Sequence, residues 1–442
     1  MDHGYQPGPI DRLLTVDELN AAVDDIVRDF PRLCRLRRIG SSRQGEPLTL
    51  LSVGHGPEQV LVVGGPHPNE PVGLWTVVHL ARLVAGDETA RGRRTWNFVP
   101  CLDPDATRLN EDWFDGPLTI RRYHERFYRP ALDDQPEWTF PVLEEGAYFD
   151  AMLPETQALA RVIDELKPRL SYSLHNADFG GVFHILDRDL PGAAAALGEV
   201  SARRGLALSQ GPMDTLGWEQ AGPAVYLMPE AKTLAAAAVR DDGTARFGSS
   251  SSHYAGRHGA TTLIVETPLW RDPRASDAGT TGRACPEVLE EGGRDLEETV
   301  RRIADVVDPV QPFLTVPTPL RRALSGSLEQ TRALRTGYRA MESVWAGRDA
   351  TVAEEFTVRC TGHMLRLRAA GLLRRHLDVE QRAGNQRAAV RTARREADAL
   401  FDHWCTEAEA YLVADPYPLG DLVAVQVEAA LAVAGLLDAE PA

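Results

Sequence analysis

One stretch constrains this chain more than any other: Val60-Leu-Val-Val-Gly-Gly-Pro-His67-Pro-Asn-Glu70-Pro-Val-Gly73. Its opening run of aliphatic residues reads as a buried strand. Gly64, Gly65 and Pro66 end that strand, and the apolar-periodic segment after Pro71 reads as a helix. His67 and Glu70 therefore sit in a loop at the carboxyl end of a strand, which is where α/β sheets bind ligands. An imidazole and a carboxylate three positions apart in such a turn can face one ion. The pair suits zinc, which takes nitrogen and oxygen ligands and, in catalytic sites, needs a third protein ligand and an open position.

Two later runs also end in a polar group. Leu170-Ser-Tyr-Ser-Leu-His175-Asn176 alternates, with Leu170, Tyr172 and Leu174 on one face and Ser171, Ser173 and His175 on the other. Thr261-Thr-Leu-Ile-Val-Glu266 is an apolar strand closed by a carboxylate, and burying a charge without a partner is costly. Thr15 and Glu18 have the spacing of a capping box before Leu19, Val23, Ile26 and Phe30 at helical intervals. Leu48 to Val53 reads as a strand, Trp96 to Pro100 as another, and Pro154 opens a helix that Pro168 stops. His79 and His184 read as structural rather than as ligands.

The order helix, Phe30-Pro31, Ile39-Gly-Ser-Ser-Arg-Gln-Gly-Glu-Pro-Leu48, strand pair, His-x-x-Glu resembles the opening of the carboxypeptidase A-like zinc carboxypeptidases. With the strand-end His175 and the strand-end Glu266 before Thr267-Pro268, the resemblance extends over about residues 15–275. It implies an α/β fold with a mixed, mostly parallel sheet flanked by helices. It further implies one zinc ion per chain on His67, Glu70 and His175, with Glu266 as the general base toward a zinc-activated water. The dipeptide His175-Asn176 also resembles the aspartoacylase-like deacylase branch of that group, which makes Asn176 a candidate substrate contact.

The family's carboxylate-gripping Asn-Arg pair has no clean counterpart. Asn110 matches the Asn, but Glu111 follows it, and a glutamate repels the carboxylate that a guanidinium would grip. Arg108, Arg121, Arg122 or Arg126 is then expected to supply the charge, or the substrate lacks that carboxylate; Arg108 is the expected neighbour of the oxyanion. The serine-rich loop around Ser251 is expected to offer a hydroxyl to the substrate. The family's mobile tyrosine would fall near Asp242 to Phe247, which holds none; Tyr226 and Tyr254 are loose candidates. Pro117 to Tyr148 reads as a long loop over the mouth of the site.

Four prolines between Pro309 and Pro319 mark a stiff linker, after which helical periodicity dominates. A catalytic domain over 1–310 and a C-terminal all-α helical bundle over 311–442 are expected, the latter packing on the site, covering its entrance or pairing two subunits in a homodimer. A net charge of −16 argues against nucleic acid as a partner. Five scattered cysteines without a Cys-x-x-Cys pair argue against a disulfide framework. No apolar run is expected to span a membrane and no signal peptide is visible, so a cytoplasmic location is the expectation.

The function so implied is a zinc-dependent metallocarboxypeptidase acting on a peptide or peptide-like small molecule. An N-acyl amino acid deacylase on the same fold is the alternative, favoured by Glu111 and by His175-Asn176. A non-catalytic binding or assembly protein is a third reading.

Overall fold

The computed structural model describes residues 4–144, 147–236 and 245–439. Among the described residues, nine strands form one sheet. They are β1 (Cys34–Ser41), β2 (Pro47–Val53), β3 (Glu58–Val63), β4 (Arg94–Val99), β5 (Leu170–His175), β6 (Phe183–Leu186), β7 (Gln220–Gly222), β8 (Val225–Leu227) and β9 (Thr261–Glu266). Their spatial order is β1-β2-β4-β3-β5-β9-β6-β8-β7. The central strands β4, β3, β5 and β9 run parallel, while β1, β2, β6 and β7 each make an antiparallel pairing toward the edges. The expected mixed, mostly parallel sheet flanked by helices is the observed one.

The sheet buries both faces, which is why its central strands carry so few charges. On one face Val60, Val62, Tyr172, Leu174 and Val265 pack against α1 (Val16–Asp29) and α2 (Val72–Gly86). On the other, Leu61 and Val63 meet Leu159, Val162 and Ile163 of α3 (Pro154–Leu166). The capping box closes as expected, with the Thr15 hydroxyl accepting from Glu18 N and the Glu18 carboxylate accepting from Thr15 N. Glu111 bonds the next residue of that helix start, since its Oε1 accepts from Val16 N at 2.8 Å. This carboxylate is a helix-end partner and does not stand in the site.

The helical layer differs from the expected division at residue 310. It begins with α5 (Cys285–Val307), before the proline stretch, and continues through α6 (Pro319–Val344), α7 (Val352–Arg382) and α8 (Ala388–Tyr411). Ile303, Leu320, Phe356, Leu367, Leu372 and Phe401 join in one core of these helices. The last helix, α9 (Leu419–Ala439), leaves the bundle and packs Leu422, Val425, Val433 and Leu437 into the core of the sheet beside α2 and α4 (Ala193–Arg203). The helix is long and apolar enough to cross a membrane, contrary to the expectation of no such run, and 67% of its apolar window is buried in the protein.

One polar residue explains how α9 bears on function. Gln426 is wholly buried, and its Nε2 donates to the carbonyl of His175 at 2.6 Å and to that of Val265 at 3.4 Å. Its Oε1 accepts from the Thr76 hydroxyl of α2 at 2.5 Å, and its own carbonyl accepts from the Tyr172 hydroxyl at 3.0 Å. The ends of β5 and β9 are thereby tied to two helices. Gln426→Met, close in volume but apolar, takes the side-chain donor from the His175 carbonyl and leaves the Thr76 hydroxyl only its 3.4 Å bond to the Val72 carbonyl. It should cost about 1–3 kcal/mol for each group so stranded, read as a lower urea midpoint with unchanged slope.

Candidate functional site

The site grows from three chain ends that packing forces together. After β3 the chain turns at Gly64, whose N donates to Val99 O at 2.9 Å and whose carbonyl accepts from Leu102 N at 2.9 Å. A Cβ at Gly64 would lie 2.3 Å from the Pro100 carbonyl oxygen, so the turn admits only glycine. The chain then passes His67 and Glu70 into α2. A Cβ on Gly73 would meet Leu174 Cβ at 2.7 Å, so the helix start presses directly on the end of β5. Asn176 secures that approach by accepting from Val72 N at 3.2 Å.

His67, Glu70 and His175, all buried, bring their ligand atoms within 4.8 Å of one another. Glu70 Oε2 stands 3.0 Å from His175 Nδ1, and Glu266 Oε1 stands 3.6 Å from the same nitrogen. The buried Nδ1 of His67 has no hydrogen-bond partner among the described residues. Two imidazoles and a carboxylate so placed are the nitrogen–oxygen donor set of a catalytic zinc site, and an orphaned imidazole nitrogen fits a ligand role. The four expected residues are therefore in one place.

Their protonation follows from burial and mutual charge. Burial and the Arg129 charge hold His67 well below the usual imidazole range, which keeps it neutral. Burial pushes Glu70 up, but His67, Arg129 and His175 outweigh it, and the carboxylate is held ionised. Burial pushes His175 down, yet the hydrogen bond and charge of Glu70, with Glu266 and Glu137 beyond, raise it to about 9. Burial and the Glu70 charge lift Glu266 well above the ordinary carboxylate range.

Residues not expected from the sequence complete the site. Arg129 donates to Glu70 Oε1 at 2.7 Å, opposite the oxygen that faces His175. It lies in the long loop, between the buried Tyr128 and Pro130, and a residue before proline is disfavoured in helical backbone. Glu137, Asp178, Asp214 and Arg368 also line the cavity, whose volume is about 560 Å³. Phe356, Cys360, Met364 and Arg368 of α7 and Leu334 of α6 form part of its wall. Arg129, Leu132 and Trp138 come from the loop expected over the mouth.

Several expected contacts lie elsewhere. Arg108 ends the short helix Pro104–Arg108, which carries it away to Glu46 and Asp17, each at 2.7 Å. Asn110 is fully buried and bonds the backbone of Tyr128 and the Trp113 indole. The helix Ile120–Arg126 turns Ile120 and Tyr123 inward, so Arg121 pairs with Asp402 at 2.6 Å, Arg126 with Asp112 at 3.3 Å, and Arg122 donates to the Asp112 carbonyl. None of these five lines the cavity. Ser251 acts one step removed, with its N and Oγ donating to Glu137 Oε1 at 3.1 and 2.8 Å. Asn176 does line the cavity, and its buried Nδ2 has no partner among the described residues.

Tyr254 donates to Asp164 and Tyr226 accepts from Gly211 N, and neither lines the cavity; residues 242–244 of the segment searched for the tyrosine lie outside the described residues. His79 bonds the Tyr5 hydroxyl and His184 is buried within β6, so both stand apart from the ligand set.

Residues 19–116 match the zinc carboxypeptidase family, a span that holds His67 and Glu70 but not His175 or Glu266. No curated protein matches the chain significantly. Among solved structures, a metallo-carboxypeptidase from Burkholderia cenocepacia is 18% identical, with 58% of this chain and 60% of that chain covered and a TM-score of 0.37. Carboxypeptidase A from Helicoverpa armigera is 15% identical, with 59% and 66% covered and a TM-score of 0.37. Bovine thrombin-activatable fibrinolysis inhibitor is 11% identical, with 57% and 86% covered and a TM-score of 0.38.

A ligand imidazole must be neutral, so zinc has to displace the proton that Glu70 holds on His175 below about pH 9. Zinc affinity of the metal-free protein should therefore rise about tenfold per pH unit across the neutral range and level off above it. Chelator competition at several pH values checks this, and a flat profile would show that His175 carries no displaceable proton.

Proposed function

We propose that this chain, whose residues 19–116 belong to the zinc carboxypeptidase family, is a zinc-dependent hydrolase that cleaves an amide bond in a peptide-like small molecule. The observation that carries the reading is the position of Glu266. Its carboxylate closes a parallel strand beside the ligand imidazole of His175 and faces the same cavity. His67, Glu70 and His175 would hold the ion, which when bound supplies Lewis-acid polarisation of a carbonyl and an acidified water.

The chain's own groups divide the remaining work. Glu266, with its raised proton affinity, takes a proton from the attacking water and delivers it to the leaving amine. Arg129 orients Glu70 through Oε1 and places a positive charge near the developing oxyanion, the role expected of Arg108. Asn176 Nδ2 is a free donor for a substrate carbonyl. The walls from α6 and α7 favour a compact substrate, because a cavity of about 560 Å³ is of small-ligand size.

One observation favours the deacylase reading over terminal-residue removal. The cavity's two arginines are already paired, Arg129 with Glu70 and Arg368 with Asp178, and the arginines expected to grip a terminal carboxylate face other partners. A purely binding role is disfavoured by the convergence of ligands, base and cation in one chamber.

Short peptides and N-acyl amines incubated with the protein and read by mass spectrometry, with and without chelator, test the hydrolase reading. Glu266→Gln should reduce turnover by about 10²–10⁴-fold and keep its zinc. Unchanged turnover in that variant would remove Glu266 from the proton-transfer role.

A further inference from the structure

Charge inside the chamber is not balanced by its own side chains. Glu70, Glu137, Asp178, Asp214 and Glu266 line it, against Arg129 and Arg368. Both arginines are committed. Arg129 donates to Glu70 at 2.7 Å. Arg368 donates to Asp178 Oδ2 at 2.6 Å, the Tyr123 hydroxyl holds Asp178 Oδ1 at 2.8 Å, and the Phe127 ring lies 4.8 Å from the guanidinium carbon. A bound zinc ion would bring the positive charges to four against five carboxylates, which leaves one negative charge uncompensated, and neither Glu137 nor Asp214 is paired with an arginine.

These two carboxylates are also incompletely satisfied. Glu137 is only 2% exposed; its Oε1 takes both bonds from Ser251, and its buried Oε2 has no partner among the described residues. Asp214 stands in the turn Met213–Thr215 and makes no hydrogen bond or ion pair among the described residues. It is an exposed residue on the cavity wall. A buried carboxylate oxygen without a partner is costly, so a chamber that keeps Glu137 Oε2 unpaired, with the unpaired Asp214 on the same wall, suits a ligand that pairs with them. The surrounding walls are apolar and aromatic, with Phe183, Trp218, Met228 and Phe356 available to a methylene stem or to the face of a cation.

An anionic ligand would meet the opposite situation. It would have to break one of two short arginine pairs, and it would add charge beside two unpaired carboxylates. We infer that the chamber takes an amide carrying a cationic amine or guanidinium group in place of a free carboxylate, with Asp214 as the residue that selects the charge and Glu137 as a second acceptor. That the amide is cut rests on the hydrolase reading above; the binding preference does not.

The test uses three benzoylglycyl amides of similar length, those of cadaverine, pentylamine and aminohexanoic acid, which end in a cation, a methyl group and a carboxylate. Affinities are measured by calorimetry on the zinc-loaded full chain carrying Glu266→Gln, so that nothing is consumed. The cadaverine amide should bind about tenfold or more tighter than the pentylamine amide, and the aminohexanoate amide weakest. Adding Asp214→Asn should abolish most of that preference while the pentylamine amide binds as before, which also reports that the variant is folded. Should Asp214→Asn fail to fold, Glu137→Gln in the same background and the salt dependence of the preference in the parent chain carry the test. Equal affinity for the cationic and neutral amides, tighter binding of the carboxylate, or a preference that survives both substitutions would overturn the inference. Tight binding of the cadaverine amide that the unmutated enzyme then leaves uncut would overturn the hydrolase reading and keep this one.

Discussion

The residue-for-residue parallel pairing of β9 with β5 is the constraint on which the site depends. Thr261 opposes Leu170 and the register runs without a break until Glu266 opposes His175. Parallel strands end on the same side of a sheet, so a carboxylate and an imidazole that close two such strands emerge side by side. A one-residue slip of β9 would send Glu266 to the opposite face, away from His175. Pairing of β3 with β5 brings the His67–Glu70 turn to the same edge, and the contact of Gly73 with Leu174 sets its height. Gln426 then ties the two strand ends together through the carbonyls of His175 and Val265.

The helices after residue 285 are not an appendage to this arrangement. α9 supplies core to the sheet and positions the strand ends, while α6 and α7 build part of the chamber wall. Arg368 joins the two layers, since its partner Asp178 lies three residues beyond His175 and is also held by Tyr123 of the loop. Tyr123 accepts a long contact from Asn69, which in turn faces Arg129. A polar network therefore runs from α7 to the residue beside Glu70, and networks of this kind specify one arrangement because each member strands another when removed. The chamber wall and the packing around the candidate metal ligands thus share the same helix.

What the sequence made legible was the part written in periodicity. His67, His175 and Glu266 each follow an apolar run, and a polar residue closing a buried strand is a local signal. Glu70 came with them through its spacing from His67. The positive neighbour was misplaced for a physical reason: Arg108 follows an Asp-Pro step, and the helix that step begins carries the side chain away from the strand end. Arg129 sits where neither a two-residue nor a 3.6-residue period operates, so only the fold of the loop reveals it. The same holds for Glu137, Asp214 and Arg368, which come from a turn, a second turn and a distant helix face. From sequence α9 reads as part of the bundle because an apolar helix does not announce which core it joins; Gln426 and Glu428, polar residues amid its apolar run, are the local signs of special contacts.

The unpaired carboxylates give this chamber its character. Burial lifts Glu137 to about 7 and also raises Asp214, so in the ligand-free protein each is easier to protonate than an ordinary carboxylate. A folded-state value above the unfolded one means that stability is lost as pH rises from the ordinary carboxylate range through the raised one. The chain accepts that loss at neutral pH at a site where hydrophobic residues of similar size would have packed without it. Two arginines stand in the same cavity and neither is turned toward these groups; each is spent on holding Glu70 or Asp178 instead. Apolar walls around a residual negative charge recognise shape along most of a ligand and charge at one end. This division lets a chamber with few polar contacts discriminate strongly, because a ligand lacking the cation leaves the buried Glu137 oxygen unpaired.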